Sequence, residues 1–170
     1  MVAEMGEDDA LSCLYRLVAG EVPPAELGAP PWPVVLSHIG GGSGTGGFDL
    51  ASPRNNYWTR SWAARALAFV GGDDSATWLR LALEDGHWRV RMTAAQTLGR
   101  LRLPGMEKDL LPLLHGPHAR VRAAAVTALG QVAHPGQSER LAERLGELME
   151  DESELVQERV LVALRRLGSR

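Results

Sequence analysis

The chain has 170 residues, 45% of them hydrophobic and 23% charged, with a formal net charge of −3. That composition belongs to a folded globular protein of one domain or two small ones and excludes a wholly disordered chain. No run of about eighteen apolar residues occurs, so no membrane span is expected, and a single cysteine, Cys13, excludes an intramolecular disulfide and fits a reducing cytoplasm.

The first residues, Met1 to Ala10, are acidic where a secretion signal is basic and then apolar, so export by that route is not expected. Asp8 to Ala19 reads as an amphipathic helix. Cys13 falls in register with Leu14 and Leu17 on it, as a buried thiol rather than a nucleophile or attachment point. Residues 20–53 break the helical pattern. Pro23, Pro24, Pro30, Pro31 and Pro33 stop regular helix, and Gly40 to Gly47 is a flexible tract. Within this segment Trp32, Val34, Val35, Leu36 and Ile39 are too apolar for a free linker. They are expected to dock on the helices that follow, near Trp58 and Trp62, with the glycine tract exposed. The tract is no phosphate-binding loop, because it has no Lys to reach a phosphate. Gly41 to Thr45 likewise lacks the last glycine of a serine-hydrolase elbow.

From Thr59 onward the chain repeats. The segments starting at Thr59, Val90, Val121 and Val156 superimpose, with Arg60, Arg91, Arg122 and Gln157 as a shared anchor. Three residues later stand Ala63, Ala94, Ala125 and Val160; seven later stand Leu67, Leu98, Leu129 and Leu164. Val90, Ala94, Ala95 and Leu98 share one helical face, as do Val121, Ala125, Val126 and Leu129, so each copy is expected to be a helix. These "B" helices are predicted over 57–70, 88–101, 119–132 and 154–167. Asn56, His87, His118 and Ser153 occupy the N-cap position, and Gly99 and Gly130 stand where a helix would end. "A" helices are expected before them, over Asp8 to Ala19, Ser75 to Glu84, Met106 to His115 and Ser138 to Glu150. His115 and His118 lack a nearby third metal ligand, so a place in the turn is the expected role.

The pattern resembles the short HEAT-like repeat first associated with phycobilisome lyases: an acidic turn, Val-Arg, then an Ala-rich helix ending in Leu-Gly. Leu83-Glu84-Asp85, Val90-Arg91 and Leu98-Gly99 make the closest copy. Leu114 to Gly130 follows it with Gly116 for the turn Asp, the last copy has Asp151 but Gln157 for Arg, and the first has Thr59 for Val. The likeness covers residues 54–168. It implies an all-α, right-handed α-solenoid of about four helix pairs with an irregular Pro/Gly-rich N-terminal insertion. Residues 1–53 would form the first helix and the insertion, and residues 54–170 the repeat domain, together one globular unit. It also implies that the anchor arginines tie one repeat's turn to the next through an acid, Asp85 and Asp151 being available, and that the B helices line a concave surface.

Opposite the Ala-Leu face, positions −2, +2, +5 and +9 from the anchor form a second stripe on each B helix. Its aromatic and basic members are Trp58, Trp62, Arg65 and Phe69, then Arg89 and Arg100, then Arg120, and finally Arg159 and Arg166. Aromatics and Arg dominate protein interfaces, so these nine are the candidate partner-binding residues. Trp58, Trp62 and Phe69 have the alternative of being covered by residues 30–39. Charge runs the same way. Residues 54–132 hold eleven basic and six acidic residues, between an N-terminal stretch with seven acids and one base and a C-terminal one with eight and six. Seventeen of the eighteen basic residues are Arg, which fits a GC-rich, bacterial genome. The expectation is a non-catalytic, cytoplasmic scaffold or adaptor that binds a protein partner of acidic character on its concave face, with no cofactor, metal or catalytic group. The alternatives are nucleic-acid binding through the arginines and, from the resemblance, a bilin-lyase-like enzyme.

Overall fold

The structure, a computed structural model, describes residues 6–27, 29, 31–39, 52, 55–71 and 74–168. Among them no strand occurs and every regular element is helical. Helix α1 spans Glu7–Val18, α2 Trp32–Ile39, α3 Tyr57–Val70, α4 Ser75–Leu83 and α5 Trp88–Leu101. Helix α6 covers Glu107–Leu110 and runs on as a 3-10 turn over Leu111–His115. Helix α7 spans Ala119–Val132, α8 Ser138–Gly146 with a 3-10 turn over Glu147–Glu150, and α9 Glu154–Gly168. The B helices α3, α5, α7 and α9, and the A helices α1, α4, α6 and α8, therefore fall within a residue or two of their expected bounds, the 3-10 turns completing α6 and α8.

The chain divides into two compact units, residues 1–90 and 91–170, with the boundary inside α5. In the first unit α3 packs on α1, α2 and α4; in the second α7 packs on α6 and α9, and α9 on α8. The apolar stripes are the cause. Val90, Ala94, Ala95 and Leu98 of α5 are fully buried, as are Ala125, Val126 and Leu129 of α7, and Ala63, Ala64 and Leu67 of α3. Alanine does two things here: it favours the helix and it leaves room for a neighbouring one. In α9 the inward face is Val156, Val160, Ala163 and Leu167. Leu164, in register with the buried Leu98 and Leu129, is only half-buried. The flank of α9 that carries it and the 49%-exposed Leu161 has no further helix on it among the described residues.

Gly99 and Gly130 do not end their helices, which continue to Leu101 and Val132. They are sites of close approach. A Cβ on Gly130 would lie 3.0 Å from the Ala163 Cβ, and one on Gly99 would lie 3.0 Å from the Ala128 Cα and collide with the Gln131 side chain. The repeat thus places the glycine of one B helix against the alanine that stands two residues short of the equivalent position on the next. Glycines at positive φ close other helices: Gly20, at φ 71° after α1, donates to the Leu17 carbonyl, and Gly71, at φ 76° after α3, to the Leu67 carbonyl. Helix α5 closes through Arg102 at φ 50° instead.

The anchor arginines tie turns together. Arg60 grips the Asp85 carboxylate through Nε and Nη2, at 2.5 and 3.1 Å. Arg122 grips Asp151 the same way, both at 2.8 Å, and adds the Glu152 carboxylate at 3.2 Å. Each Asp also accepts its own turn's amide two residues on, His87 N–H at 2.7 Å and Ser153 N–H at 2.8 Å. The anchor has a second bond as well. Arg122 donates to the carbonyl six residues back, Gly116, and Gln157 does the same to Asp151, so Gln157 keeps the local bond without the inter-repeat one. At the N-cap positions the His87 ring caps its helix, with Nδ1 accepting the Arg89 N–H at 3.3 Å. Asn56 spends its side-chain oxygen on Arg60, and His118 makes no cap bond.

Candidate functional site

Helix spacing fixes the outer stripes, and the structure gathers them into two places, one in each unit. In the second unit α5, α7 and α9 border a groove of about 360 Å³ lined by Met92 and Gln96, by Arg120, Ala123, Ala124 and Thr127, and by Leu155 and Arg159. Six of these eight residues sit at the −2, +2 and +5 positions singled out in the sequence. Arg120 and Arg159 are exposed at its margins, whereas Ala123 and Ala124 are 4% and 5% exposed and form the floor. The Thr127 hydroxyl donates to the Ala123 carbonyl of its own helix, at 2.9 Å.

In the first unit the aromatic residues form a continuous ladder. Trp62 lies 5.7 Å from Trp58 between ring centroids, Trp58 lies 5.0 Å from Tyr57, and Tyr57 stacks on His87 at 3.6 Å. His87 in turn lies 6.0 Å from Trp88. The Arg89 guanidinium sits over two rings at once, 5.1 Å from the Trp58 centroid and 4.6 Å from that of Trp88. A cation held over two faces is attracted by both ring quadrupoles and braces α3 against the start of α5.

The remaining candidates are dispersed. Arg65 is exposed and donates to the Ile39 carbonyl at 2.7 Å, which fastens α2 to α3. Phe69 is 79% exposed on the last turn of α3. Arg100 is exposed near the end of α5 and lines neither feature. Arg166 donates to the Gln131 amide oxygen at 3.3 Å while the Gln131 amide nitrogen donates to the Gly99 carbonyl at 3.2 Å, so it takes part in linking successive B helices. Trp32–Ile39 is a helix that packs on α3, with Trp32, Val35, Leu36 and Ile39 buried; its hydrogen bond to α3 is at Arg65, and Phe69 is left exposed rather than covered. Pro33 is tolerated because it falls in the first turn, where its missing N–H has no helical partner to lose. The glycine tract Gly40 to Gly47 lies outside the described residues.

Tyr57, His87 and Trp88 belong to the ladder but lie off the stripe used to find it. Their signal was in the alignment of the copies: Tyr57 and Trp88 share position −3, one residue before the stripe begins. Cys13 is buried in α1, and its thiol is pushed above its ordinary pKa, first by burial and then by Asp9, with Arg16 opposing. Such a thiol is a poor nucleophile at neutral pH. His115 and His118 are both exposed, and among the described residues no group of three or more metal-ligating side chains gathers.

No curated protein sequence matches the chain. A family model for HEAT repeats matches residues 48–115 and again 107–170, the span that carries the Arg–Asp ties and the glycine contacts between B helices. The chain belongs to the HEAT repeat family.

Proposed function

We propose that the protein is a non-catalytic scaffold that holds a protein partner of acidic character against the outer face of its B helices. HEAT repeats are generally protein-interaction scaffolds. The observation that carries the reading is the groove of the second unit, to which three successive copies of the repeat each contribute residues from one helical stripe. Arg at its margins beside an apolar lining that includes Met92 and Leu155 fits a protein interface, where Arg and Met are enriched. A lyase reading would need a reactive group, and the one thiol is buried. Nucleic acid would meet the exposed carboxylates of Glu154 and Glu158 beside Arg159.

The test is site-specific photo-crosslinking in the native host, with a benzoyl-phenylalanine placed at Phe69 or Gln96 on B helices and at Arg144 on an A helix. Discrete protein adducts from the B-helix positions and none from Arg144 are expected. Adducts from Arg144 alone, or adducts to nucleic acid, would overturn the reading.

A further inference from the structure

We infer that the outer flank of α9 is a self-association surface, and that its occupant is α9 of a second copy, lying antiparallel across a two-fold axis at Leu161. The repeat identifies the surface. In the second unit each B helix meets the next through the residue eight past its anchor, Gly99 against Ala128 and Gly130 against Ala163. One turn earlier on the same face stand Ala95 and Val126, both fully buried. On α9 the equivalent places are held by Arg165 and Leu161, and Glu158 and Glu154 continue the row at helical spacing. All four are exposed, Leu161 by 49%, and none lines the groove.

Two features choose the occupant. The first is Arg165. A Cβ on Gly130 would already come within 3.0 Å of Ala163. An arginine at the equivalent place therefore holds off any helix packed as α9 is packed on α7, and a further repeat in the same register does not fit. The second feature is that the row is its own complement. Glu158 stands three residues before Leu161, and Arg165 four after it. Two such rows running antiparallel bring Leu161 against Leu161 and set each Glu158 opposite Arg165 of the other copy, twice by symmetry. A parallel pair would oppose like charges instead. Arg165 is engaged within its own chain as well, and the five N–H donors of a guanidinium let it serve a second acceptor. Helix α9 has 15 residues and is about 22 Å long. One face of it covers well under the roughly 800 Å² per partner of a standard stable interface. The dimer is accordingly weak, with a dissociation constant of roughly 0.1 mM.

Sedimentation velocity of the full-length chain, from about 10 μM to about 1 mM, should show a monomer–dimer equilibrium. Leu161→Glu should abolish it. Glu158→Arg and Arg165→Glu should each weaken it at least about tenfold, by opposing like charges. An equimolar mixture of those two variants should recover the dimer, because each then offers the charge that the other lacks. Circular dichroism of Glu158→Arg and Leu161→Glu should match the parent, since both side chains are exposed. A chain that stays monomeric across the range overturns the inference and leaves the flank to a different protein. Self-association that ignores Leu161→Glu places the contact elsewhere and overturns it too. Weakening by both charge reversals without recovery in the mixture overturns the antiparallel two-fold pairing.

Discussion

At the scale of single residues, the anchor position decides the most per atom. Arg122 and Asp151 are nearly solvent-free, with side chains 8% and 5% exposed, so neither tolerates loss of the other. Removing one partner of a buried pair leaves an uncompensated charge, and Arg122→Gln should cost about 3 kcal/mol in denaturant melts. Gln157→Arg should change stability by less than about 0.5 kcal/mol, because no acid from a following turn waits for it among the described residues. The pair also gives a pH signature. The hydrogen bonds from Arg122 hold the Asp151 carboxyl below the ordinary carboxylate range; burial opposes this, and the Ser153 N–H assists. The folded state therefore binds the proton less readily than the unfolded one. The stabilisation is complete above the unfolded pKa, about 3.9, and is lost as pH falls through the lower folded value. Melting temperature should thus drop on acidification below about pH 4, and Arg122→Gln should flatten that drop.

At the scale of elements, the same residue type has different worth according to what covers it. Leu98→Ala and Leu129→Ala remove fully buried side chains and should each cost about 2 to 5 kcal/mol. Leu164→Ala, one copy later, should cost clearly less, because that side chain is already half in water. Gly130→Val should destabilise by about 1 to 3 kcal/mol even though valine has no φ problem there, since its Cβ alone comes within 3.0 Å of Ala163. Ala94→Leu overfills the same kind of contact and belongs in the same range. Equal melts for Leu129→Ala and Leu164→Ala would show that the burial assigned to the last helix is wrong.

At the scale of the molecule, the insertion is part of the core. Helix α2 buries Trp32, Val35, Leu36 and Ile39, and its carbonyl end is held by Arg65 of the first B helix. Arg16 places its guanidinium 5.1 Å from the Trp32 ring centroid, so α1 and α2 are joined as well. Deleting residues 20–53 should uncover apolar surface on α3, raise the quenching of tryptophan fluorescence by acrylamide and promote aggregation. A deletion variant that stays monomeric with unchanged quenching would show that the segment only decorates the fold.

The sequence by itself determined the helices and their pairing, and its resemblance to the HEAT-like repeat implied the anchor ties. Each depends on local periodicity or on a spacing repeated at Arg60, Arg91 and Arg122, and repetition averages out the noise of any one copy. It also determined that Trp32 to Ile39 had to be buried, because so apolar a stretch has no stable place in water. Tertiary structure alone decided what the Leu-Gly glycines are for. A glycine near a helix end looks the same in sequence whether it turns the chain or admits a neighbour, and only the Ala163 and Ala128 contacts distinguish the two. It likewise decided that Arg89 stacks between two tryptophans, that Arg65 and Arg166 are engaged with the protein itself, and that Arg120 and Arg159 border one groove. Nine residues on equivalent faces were indistinguishable as sequence, since equivalence within a repeat says nothing of what each copy's neighbour places opposite.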